Sequence, residues 1–293
     1  MCLIAFAIGA SPERPLVIAS NRDEQWLRPT LPLQSWALPS GKLAHSGRDL
    51  QAGGTWLGLA QDGRVAMLTN VREGLPEAAP RSRGELVTDW LDTEIDWPDW
   101  LRRFDPGQFG GFNLVLGDLC KGSWCWVSNR RSAACKADEG IGSSRSGLPP
   151  GWHGRRLEPG LYGLSNAALD TPWPKTLALK QALQNHIQAG AQLHDADLLL
   201  QALLDMPPAP DEELPATGLP IDFERRLSSP FVHAPEKSYG TRSSLLVHAH
   251  DDGRLVMQEW THHAGPLELG SSLACWPLGH STRRGIEVSW LAR

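Results

Sequence analysis

The sequence lacks several features that define common protein classes. It has no uninterrupted apolar run of about 18 residues, which excludes a membrane-spanning helix. Its five cysteines are an odd number without a CxxC pair, so neither a disulfide scaffold nor a zinc knuckle is indicated. Basic residues are not in excess, the formal charge being −5, so a nucleic-acid-binding protein is not indicated either.

The N-terminus also lacks the basic segment of a secretory signal peptide, and residues 11–15 interrupt its apolar run with Ser, Pro, Glu, Arg and Pro. Together with the cysteine usage, this predicts a cytoplasmic protein. The chain has 293 residues, of which 41% are hydrophobic and 21% charged, as in ordinary globular proteins. We expect a single domain over residues 1–293, with a loop insertion at 130–159 and an unassigned C-terminal tail at 265–293.

Strand patterns dominate both ends of the chain. The segment "CLIAFAI" is apolar on both faces, as expected of a strand buried between two layers, and "LVIAS" follows it. Three hairpins are indicated by turns in which a glycine follows a polar residue and supplies a positive φ. These turns lie at Asp62-Gly63, Lys121-Gly122 and Asp252-Gly253.

Helical patterns lie between the strand groups. "GELVTDWL" places Leu86, Val87, Trp90 and Leu91 on one stripe. A second helix is predicted near residue 171, with Thr171 as N-cap, Pro172 in the first position and Gly190 after its end. "DADLLLQALL" predicts a third helix, and residues 207–220 read as a loop. Antiparallel hairpins combined with helices predict an α+β layered fold and argue against a doubly wound parallel sheet.

The opening of the chain combines a thiol with a dense polar cluster. If Met1 is removed, Cys2 carries both a thiol and a free α-amine, whose pKa of about 8 lets it act as a base toward the thiol. Asp23 can hold that amine if the second strand runs antiparallel beside the first. Alternatively, Cys2 is a small buried hydrophobe, and Asp23 and Asn21 cap a turn.

Other polar residues occur where such chemistry would need them. Asn70 and Asn166 lie at predicted strand ends, where amide groups can stabilise negative charge on a substrate carbonyl. Arg242 lies in "YGTRSS". The alternative interpretation is again structural: the asparagines satisfy backbone groups, and Arg242 forms a surface ion pair.

Eight motifs in order resemble those of the NRDE family, also called the transport and Golgi organisation protein 2 family. They are "MCLI", "SNRDEQWLRP", "GGTWLGLA", "LTN", "SRGELVTDWL", "GGFNLVLGDL", "YGLSNAALDTPWPK" and "YGTRSSLLV". Residues 130–159 and the tail after about Gly265 match poorly. The resemblance implies a four-layer αββα sandwich of the N-terminal-nucleophile hydrolase type, with mostly antiparallel sheets.

The motifs are similar, more distantly, to bile-salt hydrolases and penicillin acylases, whose mature chains begin with a catalytic Cys. This similarity assigns catalytic roles by position: Cys2 as the nucleophile, Asp23 as the amine-binding residue, Asn70 and Asn166 as the oxyanion-side asparagines and Arg242 as the arginine near the thiol. Asn21 and Arg22 are assigned to substrate binding. The pattern departs at Ser20, where those hydrolases have an arginine, and this puts thiol activation and carboxylate recognition in doubt.

The family resemblance implies haem handling or trafficking as the function, with haem as bound cargo and with no cofactor or metal required. Several histidines are available, including His248, His250, His262 and His263, but none is identified as a haem ligand. The alternative function is that of an N-terminal-Cys amide hydrolase acting on a non-peptide acyl-amide. A third interpretation is an interaction module with a vestigial pocket. The expected partner is a small molecule; the sequence identifies no protein partner.

Overall fold

The computed structural model describes residues 2–74, 78–131, 148–262 and 281–290. Within these residues the strands are β1 (Cys2–Ser11), β2 (Arg14–Gln25), β3 (Thr30–Ala37), β4 (Leu43–Asp49), β5 (Leu57–Ala60), β6 (Arg64–Asn70), β7 (Phe112–Asp118), β8 (Ser123–Ser128), β9 (His153–Arg156), β10 (Gly160–Leu164), β11 (His233–Ala234), β12 (Tyr239–Ala249), β13 (Arg254–His262) and β14 (Ser281–Ser289). The α-helices are α1 (Gly84–Asp92), α2 (Trp97–Leu101), α3 (Pro174–Gln188), α4 (Asp197–Leu204) and α5 (Ile221–Leu227).

The strands form two antiparallel sheets. The first sheet has the order β10-β1-β2-β12-β13-β14, with β11 also paired to β12, and the second has the order β3-β4-β5-β6-β7-β8-β9. The predicted α+β class with mostly antiparallel sheets is therefore confirmed. None of the helices in the described residues combines the length and hydrophobicity that a membrane-spanning helix requires.

Three apolar layers separate the sheets and helices. Alternate residues of β1 divide between two of them: Ile4 and Phe6 pack between the two sheets, whereas Leu3 and Ala5 pack against the helices α3 and α4. On the other side, α1 and α2 cover the second sheet through a layer rich in tryptophan, including Trp90 and Trp100. Because β1 is covered on both faces, it is apolar throughout, and the four-layer αββα arrangement is confirmed.

The three predicted hairpin turns are also confirmed. They connect β5 with β6, β7 with β8 and β12 with β13. Gly63, Gly122 and Gly253 have φ values of 85°, 58° and 88°, which non-glycine residues rarely adopt. The turn glycines therefore set the register of three adjacent strand pairs.

The start of α3 differs from the sequence-based prediction. The helix begins at Pro174 with Trp173 as the N-cap residue, so Thr171 is not the N-cap and Pro172 is not the first helical residue. Thr171 instead donates its hydroxyl to the carbonyl of Ala168, 2.8 Å away, and closes the preceding turn. Pro172 and Pro174 both fit the pattern of a proline at the start of a helix. The turn closed by Thr171 decides that the helix begins at Pro174. Gly190, with a φ of 65°, follows the helix as predicted.

The segments expected to be a loop insertion and an unassigned tail each contain a strand. β9 lies within the predicted loop insertion and pairs with β8 at the edge of the second sheet. β14 lies in the unassigned tail and pairs with β13 along its whole length. Both are edge strands with weak apolar alternation, because only one neighbour and one packed face constrain them. Residues 132–147, 263–280 and 291–293 lie outside the described residues.

A pair of histidines is buried where α3 crosses the first sheet. The Nε2 atoms of His186 and His248 lie 3.1 Å apart, and the His248 side chain is fully buried. Burial lowers the pKa of His248 to about 3, and it also lowers the pKa of His186 and of His250, whose ring centroid lies 6.1 Å from that of His248. The neighbouring cations, Arg14 and Arg254, oppose protonation further.

This pair predicts a loss of stability in mild acid. Below the unfolded-state pKa of about 6.5, the unfolded chain binds a proton at His248 that the folded chain excludes, so stability falls as the pH falls. Replacing His248 by Gln (H248Q) should reduce the loss of unfolding free energy between about pH 7 and pH 5 by about 2 kcal/mol relative to the parent. Urea denaturation at several pH values measures this effect.

The comparison variant is H153Q, because His153 lies half-buried in the edge strand β9 and burial lowers its pKa less than that of His248. H153Q should therefore change the pH slope in the same direction as H248Q, but by less. Equal slopes for H248Q and the parent protein would contradict the proposed protonation linkage.

Candidate functional site

A cavity of about 1990 Å³ opens at the end of the first sheet where β1 begins and β2 ends. Its walls come from both sheets, from the segment after β6 and from the region around α5. The hydrogen-bond register of β1 and β2 places Cys2 opposite Arg22. The polar cluster at the end of β2 therefore lies at the same edge of the sheet as Cys2.

Cys2 lies in the cavity wall. Its side chain is only 6% exposed, and its carbonyl accepts a hydrogen bond from the Ser165 hydroxyl at 3.2 Å. Burial raises the pKa of the Cys2 thiol above its ordinary value, although Arg22 acts in the opposite direction. The thiol is therefore neutral near pH 7, and a thiolate would need a base or a bound ligand to form it.

Asp23 lines the same cavity from β2. Thr241 on β12 donates its hydroxyl to Asp23 Oδ1 at 2.7 Å. Burial raises the pKa of Asp23, and the ammonium group of Lys175 is the strongest opposing influence. Cys2 and Asp23 are thus brought together as the antiparallel pairing predicts, with the carboxylate next to the N-terminal end of β1.

The two asparagines predicted for the oxyanion site lie behind Cys2 and contact each other. The side-chain amide of Asn166 donates to the backbone carbonyl of Asn70 at 2.9 Å, and its oxygen accepts from Ser165 at 3.3 Å and from Arg72 at 3.4 Å. Asn70 lines the cavity, but Asn166 is 1% exposed and does not. The Asn166 side chain is therefore committed to internal hydrogen bonds, whereas Asn70 is accessible to a ligand.

Arg242 does not line the cavity. It is the extra residue of a β-bulge between Thr241 and Ser243, and its guanidinium donates to the carbonyls of Gln25 and Arg28 at 2.9 and 3.1 Å. The bulge changes the direction of the side chain, which strand alternation alone does not reveal. Arg242 was expected near the thiol from its position in the motif. It instead stabilises the end of β2 and the turn that follows.

Arg22 lies on the cavity wall where Arg242 was expected. Its guanidinium stacks 4.1 Å from the ring centre of Trp56 and lies 3.4 Å from Glu24. The side chain is 4% exposed, and its Nη1 atom has no hydrogen-bond partner among the described residues. Arg22 shares the face of the sheet with Cys2, so a guanidinium is present near the thiol despite Ser20.

Asn21, predicted to bind substrate, does not line the cavity. Its amide donates to the carbonyls of Leu203 and Pro230 at 2.6 and 2.9 Å, and its oxygen accepts from the Ser244 hydroxyl at 2.6 Å. All of these partners lie on the helix side of the first sheet. The side chain therefore joins α4 and the segment before β11 to the sheet.

The histidines considered for haem binding lie elsewhere. His248, His250 and His262 do not line the cavity, and His263 lies outside the described residues. His233, which the sequence did not single out, does line it. Among the described residues, no group of three or more His, Cys, Asp or Glu side chains is arranged to hold a metal ion.

A buried charge cluster beside the cavity was missed by sequence reasoning. Arg72 and Glu224 form an ion pair of 2.6 Å, with exposures of only 3% and 2%, and Lys175 is 3% exposed. Lys175 closes the quoted motif "YGLSNAALDTPWPK", which is the one signal that could have identified it. Glu224 comes from α5, far along the chain, and no local pattern connects it with Arg72.

The cavity wall is rich in charged side chains, and most of them are paired. Among the described residues, nine Lys or Arg side chains line it against six Asp or Glu, and the carboxylates that pair with three more of the cations, Glu85, Asp211 and Glu224, lie just outside the lining. Apolar side chains also line the cavity, including Phe223 and Phe231. Together with the Nη1 donor of Arg22, which has no partner among the described residues, they suit a ligand that combines an apolar body with a negatively charged group.

The buried ion pair leads to a prediction about stability. Glu224→Gln leaves the Arg72 cation buried without its counter-charge and should lower the unfolding free energy by about 3–5 kcal/mol. The matched control is D222N on the same helix, because Asp222 pairs with Arg225 at the surface and should contribute little. Urea denaturation of both variants at neutral pH measures the difference. Equal effects of the two substitutions would contradict it.

The sequence matches a family model and several known proteins. The profile of the family "Transport and Golgi organisation 2" matches residues 1–264. The Transport and Golgi organization protein 2 homologues of Bos taurus and Homo sapiens are 32% and 31% identical over 279 and 278 residues, covering 88% of this chain and 92% of each relative. The Drosophila melanogaster protein is 27% identical over 282 residues, with 89% and 92% coverage.

Solved structures with a related arrangement are more distant. An N-acylethanolamine-hydrolyzing acid amidase orthologue from Caenorhabditis elegans has a TM-score of 0.44 and 11% identity, over 71% of this chain and 87% of the other. Penicillin V acylase from Agrobacterium tumefaciens has a TM-score of 0.39 and 14% identity, over 89% and 83%. The sequence matches cover nearly the whole chain, and the protein belongs to the Transport and Golgi organisation 2 family.

Proposed function

We propose that the protein binds an amphipathic anionic small molecule in the cavity beside Cys2, and that this molecule is haem carried as cargo. The observation that carries the proposal is the buried Arg22 guanidinium, whose Nη1 donor has no partner among the described residues and which lies beside apolar walls. A porphyrin has a large apolar ring and two carboxylates, and it needs both kinds of contact at once.

Arg22 is the residue best suited to a ligand carboxylate. Its guanidinium is buried against Trp56, and Nη1 retains a hydrogen-bond donor without a partner among the described residues. Burial strengthens a charge-assisted hydrogen bond, because water competes less with the ligand. The ring of the ligand would pack against Phe223 and Phe231, which line the same cavity.

The proposal depends on carboxylate and apolar contacts and does not require axial ligation. A carrier that must release its cargo gains from contacts that are weaker than a permanent iron ligand. Cys2 and His233 both line the cavity, but neither is assigned as a ligand.

Haem titration of the purified protein should give a saturable change in the Soret band at about micromolar haem. Arg22→Met should weaken binding by about tenfold or more, because a buried charge-assisted hydrogen bond contributes about 1.5–3 kcal/mol. The control is R102M, since Arg102 pairs with Asp99 at the surface away from the cavity. Absence of saturation, or equal weakening in both variants, would refute the proposal.

The position of Cys2 favours a second candidate function, the hydrolysis of a small non-peptide acyl-amide. The thiol lines the cavity with Asp23 beside it, and Asn70 is available to a substrate carbonyl. If Met1 is removed, the α-amine can accept the thiol proton as the sulfur attacks, so a neutral thiol is compatible with this chemistry. Asp23 would hold the amine, and Asn70 would stabilise the negative charge on the carbonyl oxygen.

Intact mass measurement combined with a panel of acyl-amides tests this second candidate. We expect a mass lacking Met1 and turnover that C2A abolishes. The control is C120A, because Cys120 is an exposed cysteine outside the cavity. Retained Met1 would exclude the mechanism, because its α-amine would then lie one residue away from the thiol.

A further inference from the structure

The ring of Trp56 contacts both sheets at the cavity wall. It faces the guanidinium of Arg22 in β2 of the first sheet, whose Cζ atom lies 4.1 Å from the ring centre. In the second sheet, the same ring lies against Gly47 in β4. The Trp56 carbonyl accepts a hydrogen bond from the backbone amide of Leu68 in β6 at 2.8 Å, which fixes the chain just before β5. The guanidinium of the first sheet is therefore supported by a ring that belongs to the second sheet.

Gly47 provides the space that this ring occupies. A Cβ atom added at position 47 would overlap Cη2 of Trp56 and would lie 2.8 Å from its Cζ2. The same Cβ would lie 3.1 Å from the carbonyl oxygen of Leu31 on the neighbouring strand β3, so β4 cannot retreat to relieve the overlap. Since protein interiors are closely packed, any side chain at position 47 displaces the Trp56 ring.

The guanidinium of Arg22 is held by two neighbours. Trp56 covers its plane, and Oε2 of Glu24 lies 3.4 Å from Nη2. The remaining terminal nitrogen, Nη1, has no partner among the described residues, and the side chain is only 4% exposed. Stacking on an aromatic ring fixes the plane of a guanidinium as well as its position, which an ammonium group does not allow. The direction in which Nη1 can donate is therefore set by Trp56.

We propose that Trp56 is a positioning residue that holds the Arg22 guanidinium for a planar carboxylate of the ligand, and that Gly47 admits its ring. The inference rests on the proposed function, because it adds a specificity-determining contact to the same site. A fixed guanidinium donates strongly to a carboxylate, whereas an ester carries no charge to bind. Because β1 pairs Cys2 with Arg22, the charged end of the ligand lies at the Cys2 end of the cavity.

Parallel titration with haem and with haem dimethyl ester tests the inference. The parent protein should bind haem about tenfold or more tightly than the ester, because only haem offers carboxylates to Arg22. In W56L this preference should fall to about threefold or less, because the guanidinium is no longer held. W56F should keep most of the preference, since phenylalanine retains an aromatic face. A tryptophan that only fills space would weaken both ligands equally and leave their ratio unchanged.

Two glycines of the second sheet provide a matched pair of variants. Gly117 in β7 lies against Trp124 as Gly47 lies against Trp56, since a Cβ added at Gly117 would lie 2.6 Å from Cη2 of Trp124. Trp124 is buried in the core between the sheets and does not line the cavity. G47A should reduce the preference for haem over its ester, whereas G117A should leave it close to that of the parent. Equal loss in the two variants would contradict the inference.

Nitrogen-15 NMR of arginine side chains tests the positioning without a ligand, with R22K used to assign the Arg22 signals. A guanidinium held by Trp56 and Glu24 should rotate slowly about its Cζ–Nη bonds, so its two Nη groups should give separate signals. These signals should merge in W56L and remain separate in W56F. Merged Arg22 signals in the parent protein would overturn the inference, and this result remains decisive if W56L does not fold.

The possible outcomes separate the inference from the proposed function. Saturable haem binding with the same haem-to-ester ratio in W56L and the parent would refute the inference alone. Absence of haem binding would refute the proposed function, and the Arg22 signals of the ligand-free protein would then decide whether Trp56 positions the guanidinium.

Discussion

The antiparallel pairing of β1 with β2 is the constraint on which the candidate site depends. It places Cys2 opposite Arg22 and next to Asp23, and it continues into β12, which supplies Thr241. A shift of one residue would turn Cys2 toward the helices and remove the thiol from the cavity. The two faces of β1 differ in side-chain size, since Ile4 and Phe6 face one layer and Ala5 and Ala7 face the other, so a shift would misfit both layers.

Charge is distributed unevenly around this pairing. At the cavity wall, Arg22 keeps a donor without a partner among the described residues, whereas the cluster behind it contains the buried ion pair of Arg72 with Glu224 and the buried Lys175. Buried charges are costly unless they are compensated, so such a cluster is rigid and resists rearrangement. The same site can therefore present a fixed group at Cys2 and an attractive surface to an anionic ligand.

Some elements of the fold follow from local sequence signals. Turn glycines and the apolar stripe of α1 were sufficient for three hairpins and one helix, because these elements depend on neighbouring residues. The start of α3 and the strands β9 and β14 were missed, since they depend on a turn or on one packed partner. At the site, Cys2 and Asp23 followed from a single strand pairing. Arg242 did not follow, because a bulge displaces it.

The sequence by itself determined the layered α+β class, the family and the meeting of Cys2 with Asp23, because apolar periodicity, turn chemistry and ordered motifs are properties of short segments. Only the tertiary structure decided that Arg22 faces the cavity and that the Asn166 side chain forms internal hydrogen bonds outside it. It also decided that Lys175, Arg72 and Glu224 form a buried cluster. These contacts join residues far apart in the chain. Their energies depend on burial, which arises only when the layers pack together.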